Sequence, residues 1–160
     1  MITQAPSAPL PTRTPTRRGH STQLWRVFLA AGVSFIAMFS LAGLYTIVLA
    51  HDFIATHVEP GLLRSPPNLP LIAFGYFVLA LLMAWLYPRL VQVTRSPLMH
   101  GLLFGIATGV CWLMPYSLVL FGAYKFPYAA LPLDFGWALV EQGVGGALIG
   151  LIFGRSYSRP

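Results

Sequence analysis

The sequence predicts an all-α membrane protein, a four-transmembrane-helix antiparallel bundle with both termini in the cytoplasm. Three observations lead to this fold class: a low content of charged residues, four long apolar stretches, and an uneven distribution of positive charges between the connecting segments. Of the 160 residues, 56% are hydrophobic and only 9% are charged, whereas a soluble domain carries about 25% charged residues. The chain therefore has too few charges to cover a surface that faces water.

Four apolar stretches are long enough to cross a bilayer, for which an α-helix needs about 20 residues. They cover about residues 25–50, 69–87, 98–123 and 131–153. Because lipid offers no hydrogen-bond partners to the backbone, each stretch should be helical. We therefore predict one four-span transmembrane domain over residues 24–154, between a disordered cytoplasmic tail at residues 1–23 and a cytoplasmic C-terminal tail at residues 155–160.

The N-terminal tail is rich in proline and poor in large apolar side chains, which is typical of disordered segments. Its arginines stand just before the first apolar stretch, where positive charges commonly flank a membrane span. The net charge of +6 is therefore no sign of a nucleic-acid partner. The apolar run Val27–Ala50 also exceeds the roughly 7–15 apolar residues of a cleavable signal peptide.

Positive charges predict the orientation of the spans. Eight arginines stand in the two tails, at the start of the first span (Arg26) and in the 88–97 connection, whereas the other two connections contain only Arg64 and Lys125 as positive residues. Cytoplasmic loops carry the excess of Lys and Arg, so both termini are expected in the cytoplasm. The expected location is therefore a membrane, as a multi-pass protein in contact with the lipid bilayer.

Three local features of the connections and spans can be predicted. The loop His51–Leu69 has apolar residues among polar ones, so part of it should form a short helix along the membrane surface. Asn68 stands where its side chain can cap the first turn of the second span. Pro115 removes a backbone donor within the third span and should kink that helix.

Glycines recur at every fourth position in the last two spans. The third span contains Gly101, Gly105 and Gly109, and the fourth contains Gly146, Gly150 and Gly154. This spacing places the glycines on one helix face, where a neighbouring backbone can approach closely. We predict that the two glycine rows contact each other in reverse order, with Gly101 level with Gly154. The other predicted pairs are Gly105 with Gly150 and Gly109 with Gly146. The alternative is that one row forms a homodimer contact.

Glu141 stands near the middle of the fourth span. An ionised side chain at this depth costs at least about 2.5 kcal/mol, so it should point into the bundle. Four hydroxyl groups are expected at a similar depth as hydrogen-bond partners: Ser40, Tyr76, Tyr116 and Ser117. Glu141 could bind a proton, a cation or the polar head of a substrate. It could instead be a neutral acid whose hydrogen bonds join the helices.

Motifs for catalysis and cofactor binding are missing from the sequence. The four histidines lie in loops or at span ends, so no pair is placed to bind haem inside the membrane. His51, His57 and Glu59 could ligate a metal, but their spacing matches no known metal signature. No phosphate-binding glycine loop or nucleophilic serine elbow occurs. We therefore predict no cofactor, no metal site and no catalytic residues.

Three local features connect the chain to a group of bacterial proteins. They are the lead-in Pro67-Asn68-Leu69 to the second span, the glycine-rich start of the third span, and Asp134 with Trp137 before the glycine-rich last span. In these features the chain resembles small bacterial four-span integral membrane proteins of unknown function, over roughly residues 25–154. The resemblance implies a bacterial inner membrane and assigns no functional residue.

Three classes of function are compatible with this sequence. Our first expectation is a non-enzymatic accessory or scaffold subunit that packs through glycine-faced helices against a membrane-protein partner or forms a homo-oligomer. The second is a small oligomeric transporter or channel that uses Glu141. The third is a membrane enzyme acting on a lipid or quinone, against which the missing catalytic motifs argue.

Overall fold

The computed structural model describes residues 18–58, 61, 62, 64, 66–91 and 96–154, and within these ranges the chain is helical without strands. The main helices are α1 (Arg18–Leu44), α2 (His51–His57), α3 (Leu69–Leu90), α4 (Pro97–Thr108), α5 (Met114–Ala123) and α6 (Leu131–Gly154). Short π-helical turns follow α1 at Tyr45–Leu49 and join α4 to α5 at Gly109–Leu113, and a 3-10 turn, Tyr128–Ala130, precedes α6.

Among the described residues, four helices are long and apolar enough to cross a membrane, which confirms the predicted class of membrane protein. They comprise Gln23–Leu49, Leu69–Leu90, Pro97–Ala123 and Tyr128–Gly154. The predicted tail at residues 1–23 is helical from Arg18 onwards, and its first seventeen residues lie outside the described part of the chain. The predicted tail at residues 155–160 lies outside it as well.

The connections before α3 follow local sequence signals. The short helix α2 occupies the start of the first long loop, where an interfacial helix was predicted. Asn68 caps α3, because its side-chain Oδ1 accepts a hydrogen bond of 3.2 Å from the backbone N–H of Leu71. Pro70 lies in the first turn of α3, where a backbone N–H has no partner within the helix. Because proline has no N–H group, it leaves no unpaired donor at this position.

The third span is irregular just before Pro115, where a kink was predicted. Pro115 has no N–H to donate to the carbonyl of Cys111, one turn before it. The chain responds with the wider π-helical turn Gly109–Leu113 immediately before α5. Such turns interrupt an α-helix locally and change the directions in which the side chains of the following residues point.

Helix α6 is the central element of the bundle. Its most extensive contact is with α4, followed by its contact with α1, and α1 also packs along α3. Alanines at the α1–α3 contact allow these two helices to approach closely. The buried core that α1, α3 and α6 share consists of Val27, Ala30, Ala31, Met38, Ala80, Met83, Ala84, Tyr87, Ile149 and Phe153. Helices α3 and α4 contact each other little, which leaves a gap between the second and third spans.

The two glycine rows form the contact between α4 and α6. A methyl group built on Gly101 would lie 2.9 Å from Cα of Gly150, and one built on Gly146 would lie 2.7 Å from Cα of Gly105. Carbon atoms that are not bonded do not approach so closely, so a methyl group would not fit at either glycine. The two backbones are therefore in direct contact. Along this contact, residue numbers rise in α4 as they fall in α6, so the two helices run in opposite directions.

The register of this contact differs from the prediction by about one helical turn. Gly101 lies against Gly150 rather than Gly154, and Gly105 lies against Gly146. At the end of the row, Gly154 packs against the side chain of Pro97. The prediction assumed that glycines at equal depth meet. In the structure the Pro97 ring fills the position opposite the last glycine and shifts the pairing. Gly109 lies next to Ala138 and Gln142.

Candidate functional site

Glu141 is buried in α6, where its side chain is only 5% exposed. Each carboxylate oxygen accepts one hydrogen bond. The hydroxyl of Tyr76 on α3 donates to Oε2 over 3.0 Å, and the indole Nε1 of Trp137 donates to Oε1 over 2.7 Å. The acid is therefore fixed in place by one donor from another span and one from its own helix.

Trp137 was not among the predicted partners of Glu141. The prediction compared residues at equal depth on different spans. The signal that could have found Trp137 is its position four residues before Glu141, which places both side chains on one helix face. The Trp137 ring also stacks on Tyr45, with 4.9 Å between centroids and 16° between planes. The first, second and fourth spans thus contribute to the surroundings of the acid.

Three of the four predicted hydroxyl partners do not hydrogen-bond to Glu141. Ser40 is exposed, because α1 turns Ser34 and Met38 towards Gly145 of α6. Ser40 follows Met38 by two residues and points about 200° away around the helix.

The π-helical turn before α5 accounts for the positions of Tyr116 and Ser117. This turn changes the phase of the following helix, and Tyr116 is 58% exposed on the wall of the cavity between α3 and the third span, without a hydrogen bond to Glu141. Ser117 is buried but donates a 2.5 Å hydrogen bond to Oδ2 of Asp134 instead of Glu141. Of the predicted hydroxyl set, only Tyr76 reaches the buried acid.

Gln142 is another buried polar residue, and it was not among the predicted site residues. Its side chain is 0% exposed. Among the residues that the structure describes, neither its amide nitrogen nor its amide oxygen has a hydrogen-bond partner. Burying an unpaired amide costs roughly 2–7 kcal/mol, depending on the reference solvent. The signal in the sequence was an amide side chain within an otherwise apolar span.

A central cavity of about 630 Å³ lies between α3 and the third span, in the gap that these helices leave. Its walls are mainly apolar, and its polar side chains are Tyr76, Thr108, Trp112, Tyr116, Glu141 and Gln142. The volume falls in the range of about 300–1,000 Å³ that is typical of small-molecule sites. Several lining residues are exposed, including Leu71, Val78 and Trp112, so the cavity opens sideways between the helices.

The histidines considered as metal ligands lie outside this cavity. His51 and His57 are both exposed on α2, where His51 contacts Asp52 at 3.2 Å and His57 stacks on Phe53. Glu59 lies outside the described residues. In the described parts of the chain, no group of three or more His, Cys, Asp or Glu residues is placed to hold a metal ion.

No protein-family model matches this chain, and searches of curated proteins and of solved structures found no match. Function must therefore be inferred from the geometry and chemistry of the site.

Proposed function

We propose that this chain is a non-enzymatic integral membrane protein that binds an apolar small molecule in the central cavity. The observation that carries the proposal is the wholly buried amide of Gln142, which lines this cavity and has no partner in the described structure. Because both amide atoms are buried, the Gln142 side chain would have to turn towards the cavity, where a ligand group that both donates and accepts hydrogen bonds would satisfy the amide nitrogen and oxygen together. Binding would thus remove a cost that the empty protein carries.

The surroundings define the chemistry of this ligand. The apolar walls fit a hydrocarbon body, and Glu141 beside Gln142 adds an acceptor for a donor or cationic head group. Because the opening lies between helices and is bordered by exposed apolar side chains, the ligand would enter from the lipid. The proposed ligand is therefore an amphipathic, mainly apolar molecule with one polar head.

Transport is a second candidate function, favoured by the position of Glu141 beside this cavity. An acid inside a membrane can couple a proton or cation to the movement of a substrate. We predict that such a transporter would be oligomeric, since four helices enclose little volume. A proton-coupled flux that is present in the wild type and lost in Glu141→Gln would support transport, and an unchanged flux would exclude this role for the acid.

An accessory or scaffold role remains a further proposal, with one modification. The glycine rows of α4 and α6 contact each other, so they are already occupied within the chain. A partner helix would have to use other surfaces, such as those at Gly32, Gly43 and Gly122, where a built methyl group meets nothing within 4 Å. Copurification of a membrane protein in a fixed ratio would support this role.

We also propose that the four spans form an antiparallel bundle in the inner membrane, with both termini in the cytoplasm. The excess of arginines in the tails and in the 88–97 connection supports this orientation. The reversed order of glycine contacts between α4 and α6 supports the antiparallel arrangement of these spans. In a Cys111→Ala background, an impermeant thiol reagent added to intact cells should label Lys125→Cys and leave Ser96→Cys unlabelled. The reverse pattern would contradict the orientation.

Native mass spectrometry of protein purified in nanodiscs tests the ligand proposal. The wild type should carry a bound apolar molecule that Gln142→Leu loses, because leucine has a similar size and no amide. The matched control is Gln23→Leu, which makes the same change at an exposed position of α1 and should retain the molecule. If wild type and Gln142→Leu carry the same lipids in the same amounts, the proposed site is wrong.

A further inference from the structure

A second cavity, of about 210 Å³, lies at the end of the bundle where the first span meets α2 and α5. It shares no lining residue with the central cavity. Four aromatic side chains line it: Tyr45, Phe53, Phe121 and Phe126. Asp134, in the first turn of α6, lines the same cavity. We call this space the end cavity.

Asp134 brings a negative charge to the end cavity without a positive partner. Its side chain is half-buried, and Oδ2 accepts a hydrogen bond from the Ser117 hydroxyl. Within the described ranges, the only ion pair joins His51 and Asp52 on the exposed side of α2. One hydroxyl group leaves most of the acceptor capacity of a carboxylate unused. The end cavity therefore offers an uncompensated carboxylate in partly apolar surroundings.

The aromatic rings come from four different segments and are held by ring contacts. Tyr45 stacks on Trp137, and Phe121 packs against Phe126 with 5.3 Å between centroids. Phe53 stacks on His57 of its own helix. The face of an aromatic ring attracts a cation that lies within about 6 Å of its centre. Rings and carboxylate together form the combination that recognises alkylated ammonium groups.

We propose that the end cavity binds a small organic cation of the quaternary ammonium type, with Asp134 as its counter-charge. The cavity is smaller than the roughly 300 Å³ at the lower end of drug-sized sites, so it fits a compact head group. An inorganic cation fits poorly, because calcium or magnesium needs about six oxygen ligands and this cavity offers few. This site is separate in position and ligand from the central cavity, and neither depends on the other.

Titration calorimetry with choline on the full chain in nanodiscs tests the inference. Saturable choline binding is expected. The uncharged isostere of choline, in which a tert-butyl group replaces the trimethylammonium group, should bind at least about tenfold more weakly. Asp134→Asn keeps the shape and an acceptor for Ser117 but removes the charge, and should weaken choline binding at least about tenfold. The control Asp52→Asn removes an exposed carboxylate outside the cavity and should bind choline like the wild type.

A second variant tests the rings independently of the charge. Phe53→Leu keeps an apolar side chain on α2 but removes one aromatic face, and should weaken choline binding severalfold. The control Phe74→Leu changes an exposed ring on α3, away from the cavity, and should have no effect. The inference is wrong if choline binding is not saturable, if the uncharged isostere binds as tightly, or if Asp134→Asn binds like the wild type. Should Asp134→Asn fail to fold, unchanged choline affinity in Phe53→Leu would also overturn it.

Discussion

The Tyr76 hydroxyl lies 3.0 Å from Oε2 of Glu141 and joins the second span to the fourth across 65 residues of chain. Both side chains are at least partly buried, so water does not readily replace the bond. Such a long-range contact between spans restrains how α3 sits against α6. When Tyr76 is changed, Glu141 keeps only the hydrogen bond from Trp137.

Replacement Tyr76→Phe should destabilise the protein by about 1–3 kcal/mol, because it removes a donor to a buried carboxylate. Unfolding of the purified protein in mixed micelles at increasing denaturing detergent would measure the loss. Tyr128→Phe is the matched control, since that tyrosine is 74% exposed, and it should leave stability unchanged. Equal stability of Tyr76→Phe and the control would show that the bond contributes nothing.

Replacement Glu141→Gln should leave the free energy of unfolding within about 1 kcal/mol of the wild type. The amide oxygen can accept from Trp137, and the amide nitrogen can donate to the Tyr76 hydroxyl, which can reverse its role. Glu141→Leu should be more costly, by about 1–3 kcal/mol for each donor left without a partner. The same unfolding assay on both variants separates hydrogen bonding from charge. A Gln variant as unstable as the Leu variant would mean that the acid is needed for its charge.

Replacement Gly146→Ala should destabilise the contact between α4 and α6 by about 1–3 kcal/mol, because the methyl group has no space and the backbones must separate. Gly136→Ala makes the same change on α6 where nothing lies within 4 Å, and should be neutral or slightly stabilising. Thermal unfolding followed by circular dichroism would compare the two. If both alanine variants melt at the same temperature, the close backbone contact is absent.

Helix positions and caps could be predicted from the sequence because they depend on local properties. Apolar length located four spans, and Asn68 and Pro115 marked a cap and an irregular turn. Contacts between helices were predicted less completely. The glycine spacing indicated which helix faces meet, but the register depended on how the Pro97 ring fills the space opposite Gly154.

The candidate site was predicted only in part, because some of its features have local signals and others depend on how the helices pack. Glu141 was identifiable because a charged residue in an apolar span is rare and costly. Its partners depend on helix rotation, which depth alone does not define. Ser40 therefore faces outward, and Tyr116, which follows the π-helical turn, lines the cavity without a hydrogen bond to Glu141. The central cavity depends on the separation of α3 from α4. This separation results from the packing of the whole bundle, and no local feature of the sequence indicates it.

Replacement Gln142→Leu should stabilise the protein after bound molecules have been removed by extensive detergent washing. The wild type then buries an amide without a partner, whereas leucine fills similar space without a polar group, and the gain should be about 1–3 kcal/mol. Gln23→Leu, at an exposed position, should change the melting temperature little. Wild-type protein that retains its ligand should be more stable than washed wild type, and the gain should offset the advantage of Gln142→Leu. The reason is that a molecule that binds only the folded state raises the stability of the protein. A washed Gln142→Leu protein that melts below the washed wild type would show that the amide is satisfied within the chain, and the proposed reason for ligand binding would then fail.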